Sequence, residues 1–146
     1  MKKLILTSLF ILFGTNVSAQ YNVHVLAEAT GGHFHTISLI SAFTETKCKY
    51  IFKGKDIKKF DVDRFISRSI KHFAPKDRNE MSDLLKNLKQ KSAPQIKNDL
   101  DRLIRTFDKD KMDYKTGCGA LMETFSNAFS ETKRSYENAV KYHSYK

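Results

Sequence analysis

The chain has 146 residues, 40% hydrophobic and 29% charged, and its 26 lysines and arginines against 16 aspartates and glutamates give a net charge of +10. A chain of this length and make-up suits one domain with one modest core. It shows no repeat or low-complexity tract, and nothing after residue 19 reaches membrane-span length.

The first nineteen residues, MKKLILTSLFILFGTNVSA, combine a basic start at Lys2 and Lys3, an apolar run from Leu4 to Phe13 and small residues at Val17, Ser18 and Ala19. This pattern reads as a secretory signal peptide over residues 1–19, with cleavage expected near Ala19/Gln20. No cysteine follows the cleavage point to accept a lipid, so residues 20–146 are expected as one periplasmic or secreted domain without stable membrane insertion. Removing two lysines with the leader leaves 24 basic against 16 acidic residues, a net +8.

From Tyr21 to Thr46 two templates match. As strands, Tyr21, Val23 and Val25 alternate with Asn22 and His24, and Gly31-Gly32 makes a tight turn before Ile37 and Leu39. As a helix, Leu26, Ala29, His33, Ile37 and Ile40 share a face, and the small residues Ala27, Ala29, Gly31 and Gly32 let a neighbour approach closely. An isolated hairpin is marginal, and no later segment offers a strand to pair with it, so the helix is the expectation. The next segment, KCKYIFKGKDIKKF from Lys47 to Phe60, has no clear period; it reads as a connection turning near Gly54, with a short extended piece at Tyr50 to Phe52.

Helical periodicity then takes over. Asp61 is placed to cap a helix whose face carries Val62, Phe65, Ile66, Ser69, Ile70 and Phe73, ended by Pro75. A second helix should start near Lys76 or Asp77, bury Met81, Leu84, Leu85 and Leu88, and stop in the KQKSAP run. There Ser92 would cap a third helix, with Pro94 in its first turn and Ile96, Leu100, Leu103, Ile104 and Phe107 buried. After the charged connection DKDKMD, a last helix presents Cys118, Leu121, Met122, Phe125, Phe129, Thr132, Tyr136 and Val140, and its end near His143 is expected to fray. The expected architecture is all-α: a single small helical bundle of about four to five helices cross-linked by one disulfide.

That disulfide joins Cys48 to Cys118, the only cysteines, in a chain bound for an oxidising compartment. No CxxC pair is present for thiol redox chemistry, and neither cysteine has a partner at zinc spacing. No GxSxG, SxxK or zincin pattern supplies a nucleophile or catalytic metal, so no enzyme and no cofactor is expected. The rival is a metal-binding protein or hydrolase using His24, Glu28, His33 and His35. On a helix only His24 and Glu28 are neighbours, while His33 and His35 stand about 200 degrees apart.

The remaining signal is basic and aromatic. Lys53, Lys55, Lys58 and Lys59 lie among Tyr50, Phe52 and Phe60, and Lys133, Arg134 and Lys141 accompany Tyr136 and Tyr142. Such stretches meet acidic proteins or anionic envelope polymer; the compartment disfavours nucleic acid. The expectation is therefore an exported, non-enzymatic protein that binds another macromolecule, probing its partner through Lys53, Lys55, Lys58, Lys59, Tyr136 and Tyr142. In outline, with a signal peptide, one helical domain and a cross-linking disulfide, the chain resembles the small periplasmic immunity proteins that neutralise cell-wall amidases delivered by type VI secretion. The resemblance is one of size and architecture over the mature chain. It implies an inhibitor-like binding role and carries over no individual binding residue.

Overall fold

Asn22 starts the first helix. Its side-chain oxygen accepts hydrogen bonds from the backbone N–H groups of His24 and Val25, and α1 follows from Val23 to Phe43. The structure is a computed structural model that describes residues 20–146; the expected signal peptide lies outside the described residues. Three further α-helices follow, α2 (Val62–Ser69), α3 (Pro75–Lys109) and α4 (Tyr114–His143), and the described residues contain no strand. Short 3₁₀ turns occupy Lys47–Phe52, Ile57–Phe60 and Ile70–His72. The segment from Tyr21 to Thr46 is thus helical over most of its length, while Tyr50 to Phe52 belongs to a 3₁₀ turn and not to the extended piece expected there.

α1 is the central element, packed against α4, α3, α2 and the Ile57–Phe60 turn. Leu26, Thr30, Ile40 and Phe43 are fully buried and Phe34 and Ile37 nearly so, and within the helix only His24, Val25, Glu28, Gly32 and His35 are exposed. A helix apolar on most sides belongs inside a bundle, and burying it removes the need for strand partners. Gly31 and Gly32 do not mediate a close approach here: a methyl group built on either meets nothing within 4 Å. The close glycine contact is instead at Gly117 on α4, where an added Cβ would lie 2.6 Å from the Phe107 ring of α3.

α3 departs from the expected two helices. It runs 35 residues without interruption, starting at Pro75 in the first turn and passing through Pro94. Pro94 has no N–H and leaves the Gln90 carbonyl without its helical donor, a change that costs about 3 kcal/mol in a helix interior. Pro94 is exposed, so water can reach that carbonyl, and the apolar residues on both sides of it, Leu85 and Ile96, are held in one core. Ser92 caps nothing; its hydroxyl donates back to the Leu88 carbonyl at 2.6 Å. Of the expected core residues of this helix, Met81, Leu85, Ile96, Leu100, Ile104 and Phe107 are buried, whereas Leu84, Leu88 and Leu103 stand 40–49% exposed. α3 then ends with Lys111 in the left-handed region (φ 53°), with Met112 N–H on the Phe107 carbonyl and Lys111 N–H on that of Asp108.

The Cys48–Cys118 disulfide is formed, joining the Lys47–Phe52 turn to the first turns of α4 across a Cα–Cα distance of 5.6 Å, with both residues fully buried. The two ends of the domain are tied together as well. Asn22 N–H donates to the His143 carbonyl and Tyr145 N–H to the His72 carbonyl, while the Tyr21 hydroxyl donates to Asp77 at 2.6 Å. The end of α4 is therefore engaged and not the frayed tail expected from position alone. No helix among the described residues is long and apolar enough to cross a membrane.

Candidate functional site

α2 lies beside α4 with the Ile57–Phe60 turn at one end, and the space between them and α1 is a groove of about 550 Å³. Its floor is aromatic: His33 from α1, Phe65 from α2, and Phe129 and Tyr136 from α4. Helical spacing puts them there. Phe129 and Tyr136 are seven residues apart on one face of α4, and Phe65 sits on the apolar face that Asp61 starts by accepting from Arg64 N–H at 2.9 Å.

His33 is the centre of that floor and only 5% exposed. Its ring stacks on Tyr136 (5.6 Å, 21°), meets Phe65 edge-on (5.3 Å, 83°) and tilts against Phe129 (5.0 Å, 47°). Nδ1 lies 3.0 Å from the Thr132 hydroxyl. The Thr132 hydroxyl has the Ala128 carbonyl as an acceptor at 2.9 Å; donating there, it accepts from His33, the arrangement that puts the proton of the neutral imidazole on Nδ1. Burial lowers the His33 pKa to about 4, with Glu137 pulling it up and Lys133 pushing it down. Burial also lowers His72 and raises the phenol of Tyr136, whose hydroxyl donates to Ser69 at 3.3 Å.

The rim is charged, and the charges are unequally engaged. Asp56 caps the Ile57–Phe60 turn by accepting from Lys58 N–H, Asp61 caps α2, and Glu137 pairs with Lys133 at 3.6 Å. Each acid of the rim already has a donor. Lys58, Lys59, Arg64 and Arg68 are exposed and form no ion pair among the described residues. Lys59 only rests its ammonium 4.9 Å from the Phe60 ring centre. Four cations without an ion-pair partner among the described residues thus border an aromatic floor, an arrangement with the chemistry to receive anionic groups attached to something apolar.

Comparison with models of protein families, with curated proteins and with solved structures finds no match. The site therefore stands on its geometry.

Of the lysines and tyrosines read from the sequence, the structure brings Lys58, Lys59 and Tyr136 to this groove. Lys53 and Lys55 sit in the exposed turn around Gly54, whose φ of 77° turns the chain away before Ile57. Tyr142 lines a different groove between α1 and α4, together with Val25, Glu28 and Thr132, and carries Lys141 over its ring at 5.0 Å. The four residues of the metal reading do not converge. His24 and Glu28 are exposed near the start of α1, His35 is exposed further along it, and His33 is buried against α2 and α4. Among the described residues no three His, Cys, Asp or Glu side chains gather as a metal site. Sequence reasoning missed Arg64 and Arg68. Their signal was present in the four-residue spacing, which places both on one edge of α2 beside its apolar face.

Proposed function

We propose that this is an exported, non-enzymatic helical protein that acts by binding an acidic partner protein, in the manner of a periplasmic inhibitor or immunity-type protein. The observation that carries this reading is the groove, in which Lys58, Lys59, Arg64 and Arg68 have no acidic partner of their own while Asp56, Asp61 and Glu137 are all engaged. Charge complementarity of this kind steers encounter and selects partners, and the aromatic floor supplies the apolar contact that holds them. Export is supported by the N-terminal sequence and by a buried disulfide, which suits an oxidising compartment. An anionic envelope polymer is the competing ligand class. A confined groove with an apolar floor favours a protein over a uniformly polar chain, which gains little from Phe65 and Phe129.

The test is capture from envelope and culture fluid by the folded, disulfide-bonded domain, set beside the same domain carrying Arg64→Glu and Arg68→Glu. A partner retained by the parent and lost by the variant supports the reading. Equal capture by both proteins, or retention of carbohydrate polymer alone, refutes it.

A further inference from the structure

The floor of the groove has one polar atom whose chemistry is unspent. With the Thr132 hydroxyl donating to the Ala128 carbonyl, the proton of His33 sits on Nδ1 and Nε2 is an acceptor; among the described residues it makes no hydrogen bond. Thr132 lines the neighbouring α1–α4 groove and not this one, so the Nδ1 side of the ring turns away while His33 itself lines the floor. The one nearby phenol of the protein cannot fill the gap, since Tyr136 directs its hydroxyl to Ser69 and offers His33 only its face. The buried polar atoms without a partner among the described residues are Thr30 Oγ1 and Ser38 Oγ; Nε2 is not one of them and stays within reach of a donor entering the groove.

The required ligand is then specified in three parts. It must carry an aromatic body to pack on Phe65 and Phe129, a neutral donor to reach Nε2, and anionic groups to meet the rim. A tyrosine carries its donor at the tip of the ring, on the long axis along which the side chain enters a groove; a tryptophan carries its N–H on the side. An ammonium is disfavoured because the basic side chains of the rim outnumber its acids, Asp56, Asp61 and Glu137, and a carboxylate has no proton to give.

We propose that the groove receives a tyrosine side chain presented by an acidic segment of the partner protein, its phenol hydroxyl donating to Nε2 of His33 while flanking carboxylates meet Lys58, Arg64 and Arg68. This rests on the protein-binding reading and narrows it to one anchor residue. His33 acts as an acceptor through Nε2 while Nδ1 faces Thr132, and the rim cations set the sequence context of the tyrosine that is admitted.

The probes are two peptides, acetyl-Glu-Asp-Tyr-Asp-Glu-amide and its phenylalanine analogue, titrated into the folded, disulfide-bonded domain at neutral pH and low salt. The tyrosine peptide should bind about five- to tenfold more tightly, the net worth of one added hydrogen bond. In His33→Phe, which keeps a ring on the floor, the two peptides should bind alike, and Arg64→Glu with Arg68→Glu should weaken both. Should His33→Phe not fold, the ¹⁵N resonance of Nε2 in the parent decides: it should shift on adding the tyrosine peptide and stay in place with the phenylalanine one. Equal affinities in the parent, an unmoved Nε2 resonance, or no binding of either peptide overturns the proposal. If the peptides fail while capture of a partner protein still depends on Arg64 and Arg68, the tyrosine anchor is refuted and the binding role stands.

Discussion

His33 and Thr132 meet across 3.0 Å, the ring Nδ1 of α1 against a hydroxyl of α4 that also has the Ala128 carbonyl within hydrogen-bond distance at 2.9 Å. This contact ties the central helix to the last one at the floor of the groove. Burial within the aromatic cage of Phe65, Phe129 and Tyr136 holds the ring in its neutral state. The same ring thus links the stability of the bundle to the chemistry of its surface.

A pH dependence follows. The folded protein holds His33 neutral down to about pH 4, while an unfolded histidine takes up its proton near 6.5. The stability that depends on the neutral ring is complete above pH 6.5 and is lost as pH falls from there to about 4, by about 3 kcal/mol. Below that pH both states are protonated and this residue adds nothing more. Urea midpoints at pH 7, 5.5 and 4 should therefore fall more steeply for the parent than for His33→Phe. Parallel slopes would mean that the ring is not held neutral.

The Cys48–Cys118 bond closes a loop with a sequence separation of 70. In the chain-entropy account a loop of that length contributes roughly 4 kcal/mol by restricting the unfolded chain. Reduction, or Cys48→Ala with Cys118→Ala, should lower the thermal midpoint markedly, since both sulfurs are also fully buried in the core. Thiol labelling of the native, non-reduced protein should find neither cysteine. An unchanged midpoint on reduction would refute the loop argument.

How far the sequence reached can be seen on α3. Periodicity found the helix and its core face at Met81, Leu85, Ile96 and Leu100, because those positions repeat at three and four residues. It over-extended that face to Leu84, Leu88 and Leu103, since a pattern of leucines cannot say where a neighbouring helix stops. It also broke the helix at Ser92 and Pro94, where local preference favours an end and tertiary packing on both sides overrides it. α1 was ambiguous for a related reason: a helix buried on most sides shows no polar face to set its period. The groove was legible only in pieces, Lys58, Lys59 and Tyr136 on one hand and a histidine on the other. Joining them needed side chains of α1, α2 and α4 to meet around His33, which no spacing within the chain encodes.

Leu100 and Leu103 test that difference directly, for they lie three residues apart and were indistinguishable as pattern. Leu100 is 4% exposed and Leu103 is 42% exposed. Leu100→Ala should destabilise by about 2 to 5 kcal/mol and Leu103→Ala by under about 1 kcal/mol, read from denaturant unfolding. Equal losses would place Leu103 in a contact that α3 does not show.

Gly32 lies inside α1 with open space where a methyl group would go. Glycine in a helix interior is about 1 kcal/mol less favourable than alanine, so Gly32→Ala should raise stability by up to that amount. A loss of stability would mean that the backbone there is approached more closely than the structure indicates.

The four lysines that looked equivalent in the sequence should separate by function. Lys58 and Lys59 stand on the groove beside Arg64 and Arg68, whereas Lys53 and Lys55 belong to the exposed Gly54 turn. Reversing Lys58 and Lys59 to glutamate brings two negative charges to a rim whose own acids are already engaged, so it should weaken binding of an acidic partner by tenfold or more at low salt and flatten its salt dependence, on the order expected for charge reversal near an interface. The same reversal at Lys53 and Lys55 changes the net charge equally and lies outside the groove, so it should leave affinity within about twofold, with only the association rate reduced. Circular dichroism should show unchanged helical content in both, because none of the four side chains is buried. If the two double variants weaken binding alike, the protein attracts its partner through overall charge and the groove has no special part in recognition.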